Sequence, residues 1–436
     1  MCVSTTSQQL YHYISKSSCT PINLIRVIEE AVGLLNHPYN RLMQTNSSST
    51  SDRQIIVAAL VLSLGGAVAL GFGRFAYALL LEPMRTDLNW SYAQAGLIGS
   101  ANAIGYLAGT MLVGLAVARW GAPLTVRIAL VLTSLSLLLT GLLSLFPALL
   151  ALRILTGIGG GLIYVGGATV VMNRSGTGGR PPLGLYYSGP GIGIAISGLA
   201  VPPLLASLQQ DGWRTIWLGM GLIGLLALVL MEPFLRTAEA HARASGMAPG
   251  RARPVASDYG SIWPLMLSFF IYGIGYIGYM TFIIAFMQAQ GAAPALVQWF
   301  WGGLGLAAIA GGALWVPVIG KLGPRHGQAI IMSMLTLAAL LPLLAPQTWS
   351  YALSALLFGG SFLSIVTAVT SEIRRRLPPE RWALVTGHAV ALFALGQLIG
   401  PVLTGLIADL PGGLAYGMML SAGALGLATL VALIKR

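Results

Sequence analysis

Residues 71–85, which read GFGRFAYALLLEPMR, close the first long apolar run of the chain. Arg74 is the first charged residue after Arg53, and the stretch between them is uncharged and mostly apolar. A charged side chain at this depth is costly, and such residues usually face a bundle interior or a wet cavity. Gly71 and Gly73 leave room for a close helix approach. We therefore expect a membrane-spanning helix whose arginine points into the protein.

The composition of the whole chain agrees with a membrane protein. Hydrophobic residues make up 56% of the 436 residues and charged residues only 8%, whereas about a quarter of a soluble domain is charged. The net charge of +12 is scattered in small groups over short loops, so we expect no nucleic-acid partner. The two cysteines, Cys2 and Cys19, precede the first apolar run and predict neither a disulfide framework nor a zinc site. No metal or other cofactor is expected.

Twelve apolar runs have the length of about 20 residues that a helix needs to cross a bilayer. The sequence therefore predicts an all-α polytopic membrane protein. The predicted spans are 54–82, 91–117, 123–145, 147–173, 183–208, 213–235, 260–289, 294–320, 327–345, 348–373, 382–408 and 412–434.

The lysines and arginines predict the orientation of these spans. Of the 24, 20 fall on the side of the two termini, Arg85 and Arg214 fall on the other side, and two lie within spans. Under the positive-inside rule both termini are cytoplasmic, and a bacterial inner membrane is the expected location.

The chain divides into four predicted regions. Residues 1–50 form a polar extension, which is either disordered or upstream sequence before a start at Met43; a functional domain is the weaker alternative. Residues 51–236 form a first six-helix bundle, 237–258 a cytoplasmic linker and 259–436 a second six-helix bundle.

The two bundles are related repeats in the same orientation. An offset of 202 residues pairs Gly71 with Gly273 and Gly157 with Gly359, and it also pairs the loop motifs Arg119-x-Gly121 and Lys321-x-Gly323. Arg74 is matched with Tyr276, and Tyr77 with Tyr279. Six helices followed by six related helices is a transporter plan with a central site near the bilayer midplane.

These landmarks resemble the major facilitator superfamily. The loop ending Ala118-Arg119-Trp120-Gly121 is similar to its gating-loop motif, although an aspartate is usual where Ala118 stands. The run from Gly71 to Tyr106, together with later motifs, is similar to the YbfB/YjiJ group. The resemblance implies a secondary transporter of the inner membrane, for which we expect a monomer, and it implies gating roles for Arg119, Gly121, Lys321 and Gly323.

The motif around Gly189 and Pro190 resembles the Gly-Pro motif of antiporter-type exporters. We expect these two residues to shape and bend helices rather than to touch substrate. The same helix-shaping role is expected for Gly400 and Pro401.

Arg74 and Arg153 are the two arginines within spans, and guanidinium groups suit carboxylates or phosphates. We expect them to bind the anionic part of a substrate, or to take part in coupling. For Arg153 the alternative is that it braces span 4 by bonding backbone carbonyls.

Further polar residues within the spans are candidate partners for a small ligand or for coupling. Some of the tyrosines have an alternative role in the interfacial aromatic belt. The selected residues are Tyr77, Asn102, Tyr164, Tyr272, Tyr276, Tyr279 and Gln397.

His388 is an intramembrane residue of a type that titrates near neutral pH. It is a candidate proton site, with a local hydrogen bond as the alternative. Glu82, at the outer end of span 1, is the second candidate, and its alternative is a solvated helix end.

The pattern favours a transporter over other classes. A membrane enzyme needs clustered ligands or a nucleophile with its base, a channel needs a filter or a ring of charges, and direct use of ATP needs a phosphate-cradling loop; the sequence has none of these. We expect alternating access by rocking of the two bundles, driven by protons or an exchanged anion. Proton-coupled export is the first expectation, and uptake or anion exchange is the alternative.

Overall fold

A computed structural model of the chain describes residues 49–174, 183–208, 211–245 and 262–434. Within these ranges the regular structure is helical, and no strand occurs. The predicted polar extension up to residue 48 and the predicted linker from residue 246 onward lie outside the described residues.

Twelve of the described helices are long and apolar enough to cross a membrane, which confirms the predicted fold class. We number them as spans in chain order. The helices of spans 1–6 are Ser49–Gly66 with Ala67–Phe75 and Tyr77–Asp87, Tyr92–Trp120, Ala122–Leu142, Phe146–Arg174, Leu183–Tyr187 with Gly189–Leu208, and Gly212–Ser245. Those of spans 7–12 are Trp263–Ala289, Pro294–Leu322, Pro324–Leu344, Thr348–Phe362 with Ile365–Arg376, Pro379–Ala408, and Gly413–Ala432.

The helix of span 6 is longer than predicted. It continues to Ser245, so the first part of the predicted linker at 237–258 is helical.

Matching turns in the two bundles repeat the offset of 202 residues. Gly121 ends span 2 with φ 77° and ψ 156°, and Gly323 ends span 8 with φ 79° and ψ 152°. Positive φ is easy only for glycine, and a proline near the start of the next helix fits a position where no backbone donor is needed. Each pair of spans is thus joined by a single residue.

The repeat also appears in helix packing. A Cβ atom on Gly157 would lie 2.2 Å from the carbonyl oxygen of Asn102, and one on Gly359 would lie 2.2 Å from that of Leu304. Asn102 and Leu304 are themselves 202 residues apart. Span 4 therefore packs on span 2 as span 10 packs on span 8, with backbones in contact at glycine.

The two bundles meet along spans 2 and 11 and along spans 5 and 8. The Ser100 hydroxyl donates to the Leu398 carbonyl at 2.7 Å, and the Gln298 amide donates to the Leu199 carbonyl at 3.1 Å. Both contacts lie toward the end that the charge pattern predicts to be the outer one. The Asp409 carboxylate adds bonds at this end, accepting from the backbone N–H groups that begin span 2.

Two spans contain irregular backbone that was not predicted. Residues Ala67–Phe75 of span 1 form a π-helix, and span 10 is interrupted after Phe362. Irregular segments of this kind are often found at functional sites. Both face the contact between the bundles, since the Phe75 and Phe362 rings pack edge to face at 5.7 Å.

Candidate functional site

A small cavity lies between spans 1, 2 and 4 of the first bundle and span 7 of the second. Both intramembrane arginines reach it, and most of the other lining is apolar. Its lining residues are Arg74, Phe75, Tyr77, Ala78, Gly99, Asn102, Arg153, Ile277, Met280 and Thr281. A site that both bundles build is positioned to respond when one moves against the other.

The Arg153 side chain is buried at 1% exposure, and its Nε and one terminal nitrogen have no hydrogen-bond partner. Its guanidinium carbon lies 4.9 Å from the ring centre of Tyr77 and 5.1 Å from that of Trp217. Aromatic faces attract a cation, but they do not replace the hydrogen bonds that the N–H groups lack. Arg153 is therefore a buried cation whose donors are only partly satisfied.

Arg74 is held across the two bundles. Its terminal nitrogen donates to the Gln397 Oε1 atom of span 11 at 2.5 Å. Its guanidinium carbon lies 5.4 Å from the Tyr106 ring centre and 5.9 Å from that of Phe75, and Tyr276 is close enough to interact with it. Arg74 of the first bundle therefore contacts both Gln397 and its repeat mate Tyr276, which belong to the second bundle.

Arg74 lies in the last turn of the π-helix of span 1. In this segment the Ala76 N–H bonds to the Gly71 carbonyl, five residues earlier, at 2.9 Å. A Cβ on Gly71 would lie 2.4 Å from the Gly193 Cα of span 5, and one on Gly73 would lie 2.9 Å from the Thr156 methyl group of span 4. Glycine at both positions allows the wider helix to fit between its neighbours.

Acidic side chains of the described chain have partners away from this cavity. Glu82 pairs with Arg85 at 2.6 Å, Glu232 pairs with Arg127 at 2.9 Å, and Glu372 pairs with Arg375 and Arg376. Among the described residues, neither Arg74 nor Arg153 forms an ion pair, and no carboxylate lines the cavity. The cavity therefore carries positive charge, and none of the described residues supplies an anion that balances it.

The polar lining groups predicted from the sequence already donate to backbone carbonyls. The Tyr77 hydroxyl donates to the Ala95 carbonyl at 2.8 Å. The Asn102 amide donates to the carbonyls of Gly73 at 3.4 Å and Arg153 at 3.3 Å. These two residues thus hold spans 1, 2 and 4 together around the arginines.

The predicted tyrosines of span 7 have separate surroundings. Tyr276 stacks on Tyr272 at 5.2 Å between ring centres. The Tyr272 hydroxyl donates to the Phe362 carbonyl at 2.8 Å, beside the break in span 10, and the Tyr279 hydroxyl bonds Ser354 at 2.5 Å. Of the three, Tyr276 is the one placed next to Arg74.

Other predicted site residues lie apart from the cavity lining. Tyr164 packs against Tyr187, with ring centres 5.2 Å apart, and His388 is exposed in the first turns of span 11. Arg119 and Lys321 are exposed at the ends of spans 2 and 8.

The two Gly-Pro pairs lie at close helix approaches. A Cβ on Gly189 would lie 2.2 Å from the Ser63 carbonyl oxygen of span 1, and one on Gly400 would lie 2.4 Å from the Ile274 carbonyl oxygen of span 7. Pro190 contacts Gly66, and the Pro401 carbonyl lies where a Cβ on Gly96 would be.

Tyr106 and Trp217 lie beside the arginines but are not among the site residues that the sequence predicts. Tyr106 follows Asn102 by one helical turn, so the spacing i, i+4 would have placed it on the same face. Trp217 carries no such signal, because span 6 comes to Arg153 only through tertiary packing.

The fold and the site together define a class of protein. Twelve helices in two related bundles, with a buried cationic cavity at their interface, are the plan of a secondary transporter of the major facilitator type. Residues 66–433 match the family described as "Uncharacterised MFS-type transporter YbfB". The chain belongs to this family, and it is a transporter rather than an enzyme.

Curated relatives resemble the chain over most of its length. It is 27% identical to the hexuronate transporter of Bacillus subtilis, with 84% of this chain and 90% of that protein covered. It is 26% identical to the 3-(3-hydroxy-phenyl)propionate transporter of Escherichia coli, with 90% and 97% covered. Among solved structures, an inward-facing bacterial homologue of the human lysosomal transporter Spinster has a TM-score of 0.65 at 16% identity, with 88% and 97% covered. That likeness supports the fold alone.

Proposed function

We propose that the protein transports a small organic carboxylate, which binds between Arg74 and Arg153. The observation that carries this proposal is the state of Arg153: a buried guanidinium whose Nε and one terminal nitrogen lack partners in a cavity without an acid. A buried cation without a counter-charge is unfavourable. Binding of an anion that pairs with Arg153 is therefore favourable, because it removes this unfavourable free energy. A carboxylate matches the planar guanidinium with paired hydrogen bonds.

The relatives support a carboxylate in particular. A hexuronate and a phenylpropionate share a carboxylate group and differ in the rest of the molecule. The shared group is the one that two arginines recognise.

The bond between Arg74 and Gln397 supports a mechanism of alternating access, because it links the two bundles at the proposed site. In this arrangement the bundles touch toward the predicted outer end, and Arg74 is bonded to span 11. A substrate carboxylate competes with the Gln397 oxygen for Arg74 and so exchanges a link between bundles for a link to the substrate. Rocking of spans 1–6 against spans 7–12 then exposes the site to the other side. We place the protein in an inner membrane, as a monomer with cytoplasmic termini.

Coupling has two candidates. Export against protons is favoured by the Gly189-Pro190 motif, and it needs a titrating residue such as Glu82 or His388. Exchange of one anion for another is favoured by the cavity lining, which holds two cations and no acid. Proteoliposomes separate these candidates, because a pH gradient alone drives transport in the first case and a preloaded anion is required in the second.

The test of the proposal is carboxylate transport by reconstituted protein. We would measure the flux of labelled 3-phenylpropionate and of labelled D-glucuronate in wild type, Arg74→Gln and Arg153→Gln. Arg374→Gln is the control, because Arg374 is exposed at the inner end of span 10 and loses the same charge. The proposal predicts flux of at least one carboxylate in wild type and control, with little in the two cavity variants. Equal flux in all four proteins, or flux of neither acid, contradicts it.

A further inference from the structure

We propose that the transported carboxylate has an apolar, preferably aromatic, body rather than a polyhydroxylated one. This inference rests on the proposed function, because it uses the arginine pair as the carboxylate site. It concerns the remainder of the cavity, and it distinguishes the two kinds of acid for which the relatives are named.

Free hydrogen-bond donors other than the arginines are scarce in the cavity lining. The Thr281 hydroxyl donates to the Ile277 carbonyl at 2.7 Å, and the donors of Tyr77 and Asn102 are likewise taken by backbone carbonyls. Apart from the two arginines, the described lining residues therefore offer no hydroxyl or amide donor that is free for a ligand. A sugar acid brings several hydroxyl groups that would each lose water and find few partners, and an unpaired buried polar group is unfavourable.

The rest of the cavity lining is mainly apolar. Ile277 and Met280 of span 7 and Phe75 and Ala78 of span 1 supply apolar lining. Methionine adapts its shape and makes favourable contacts with aromatic rings, and a ring edge can pack on Phe75. This surface matches a hydrocarbon body better than a hydroxylated one.

The test compares ligands of equal charge. We would measure the dissociation constants of 3-phenylpropionate and D-glucuronate for the purified full-length protein by calorimetry. The inference predicts that 3-phenylpropionate binds at least about tenfold tighter, since each unpaired hydroxyl weakens glucuronate. Equal binding, or tighter binding of glucuronate, overturns it.

The variant Thr281→Val tests whether the cavity prefers an apolar ligand body by changing the protein instead of the ligand. Valine matches threonine in shape and removes the one hydroxyl that span 7 brings to the cavity. We expect 3-phenylpropionate to bind more tightly to this variant, because the lining becomes more apolar. A loss of tenfold or more would mean that this hydroxyl recognises the ligand, which contradicts an apolar surface.

Arg153→Gln separates this inference from the proposed function. If glucuronate binds tighter and Arg153→Gln abolishes its binding, the carboxylate site stands and the apolar body is wrong. If neither acid binds, or if binding is the same in Arg153→Gln, the proposed function itself fails.

Discussion

At the scale of single residues, the hydrogen bonding of Arg153 distinguishes its two possible roles, which are binding a ligand and bracing span 4. A brace would use its N–H groups on backbone carbonyls, whereas Nε and one terminal nitrogen are without a partner. The aromatic rings of Tyr77 and Trp217 compensate part of the charge. The unpaired N–H groups still make the buried position of Arg153 unfavourable. We expect this of a residue whose role is to bind a ligand.

Arg153→Met is therefore expected to stabilise the ligand-free protein while abolishing carboxylate binding. Replacing a buried ion pair by apolar side chains is often neutral or stabilising, by about 1–4 kcal/mol, and a buried cation without an acidic partner has less favourable interaction to lose. Unfolding midpoints in detergent would measure the change. The matched control is Arg127→Met, which should destabilise, because Arg127 pairs with Glu232 and Glu239 at 2.9 Å each. A clear loss of stability in Arg153→Met would favour the bracing role.

A second residue-scale prediction concerns Gln397. Gln397→Glu places a carboxylate where the amide oxygen now accepts from Arg74 at 2.5 Å, and this carboxylate competes with the substrate. We expect carboxylate affinity to fall by about tenfold or more, since the new carboxylate forms an ion pair with Arg74 and repels the like charge of the substrate. Titration with 3-phenylpropionate measures the effect, and Gln397→Ala is the comparison that leaves Arg74 without a competitor. Unchanged affinity in Gln397→Glu would mean that Arg74 does not bind substrate.

The sequence indicates the buried arginines but not all of their surroundings. Arg74, Tyr77, Asn102 and Arg153 line the cavity, and they stand out because polar residues are rare in apolar runs. The apolar lining is not distinctive in the same way, because every span is rich in such residues. Trp217 reaches Arg153 through packing between spans 4 and 6, and no spacing within one helix encodes that contact.

At the scale of helices, glycines at equivalent positions of the two bundles allow neighbouring helices to pack with their backbones in contact. The offset of 202 residues predicts that Gly157 and Gly359 have equivalent roles, and in the structure each lies against a carbonyl oxygen. The π-helix at Ala67–Phe75 has no equivalent in span 7, which is a continuous α-helix. The repeat could not predict it, because the helix type there depends on packing against neighbouring helices. Spans were therefore predictable to within a few residues at most ends, and their internal irregularities were not.

Gly157→Ala and Gly359→Ala should both destabilise the protein, by about 1–3 kcal/mol each, because the added methyl group forces the helices apart. Gly312→Ala is the control, since a Cβ there has no neighbour within 4 Å. In that helix interior alanine should be neutral or stabilising by up to about 1 kcal/mol. Unfolding midpoints of the three variants measure the contrast, and equal effects at all three sites would contradict the packing.

At the scale of the whole molecule, the ends of the bundles that are predicted to be outer are joined by a carboxylate on a helix terminus. Asp409 of span 11 accepts from the backbone N–H groups of Tyr92 at 2.7 Å and Ala93 at 3.0 Å. Negative charge at a helix N-terminus is favourable. These bonds must break when the outer end opens, so they stabilise the outward-closed arrangement.

Asp409→Asn should shift the protein toward the outward-open arrangement. A capping interaction of this kind contributes about 0.5–2 kcal/mol, enough to change the open population severalfold. A cysteine at Ala78, in a background with Cys2 and Cys19 replaced by serine, would report the change as faster labelling by an impermeant thiol reagent added outside. Asp211→Asn removes a charge at the same end of the molecule, where Asp211 pairs with its neighbour Arg214, and should leave the rate unchanged. Equal rates in the two variants would contradict the role of Asp409.

The central claim is that the arginine cavity binds a carboxylate, and one calorimetric comparison tests it most directly. We would titrate the purified protein with 3-phenylpropionate and with 3-phenylpropanamide, which match in shape and differ in charge, and repeat both titrations with Arg153→Gln. The account predicts that the acid binds wild type much more tightly than the amide does, and that Arg153→Gln removes the difference. Equal affinities for acid and amide in wild type would contradict it.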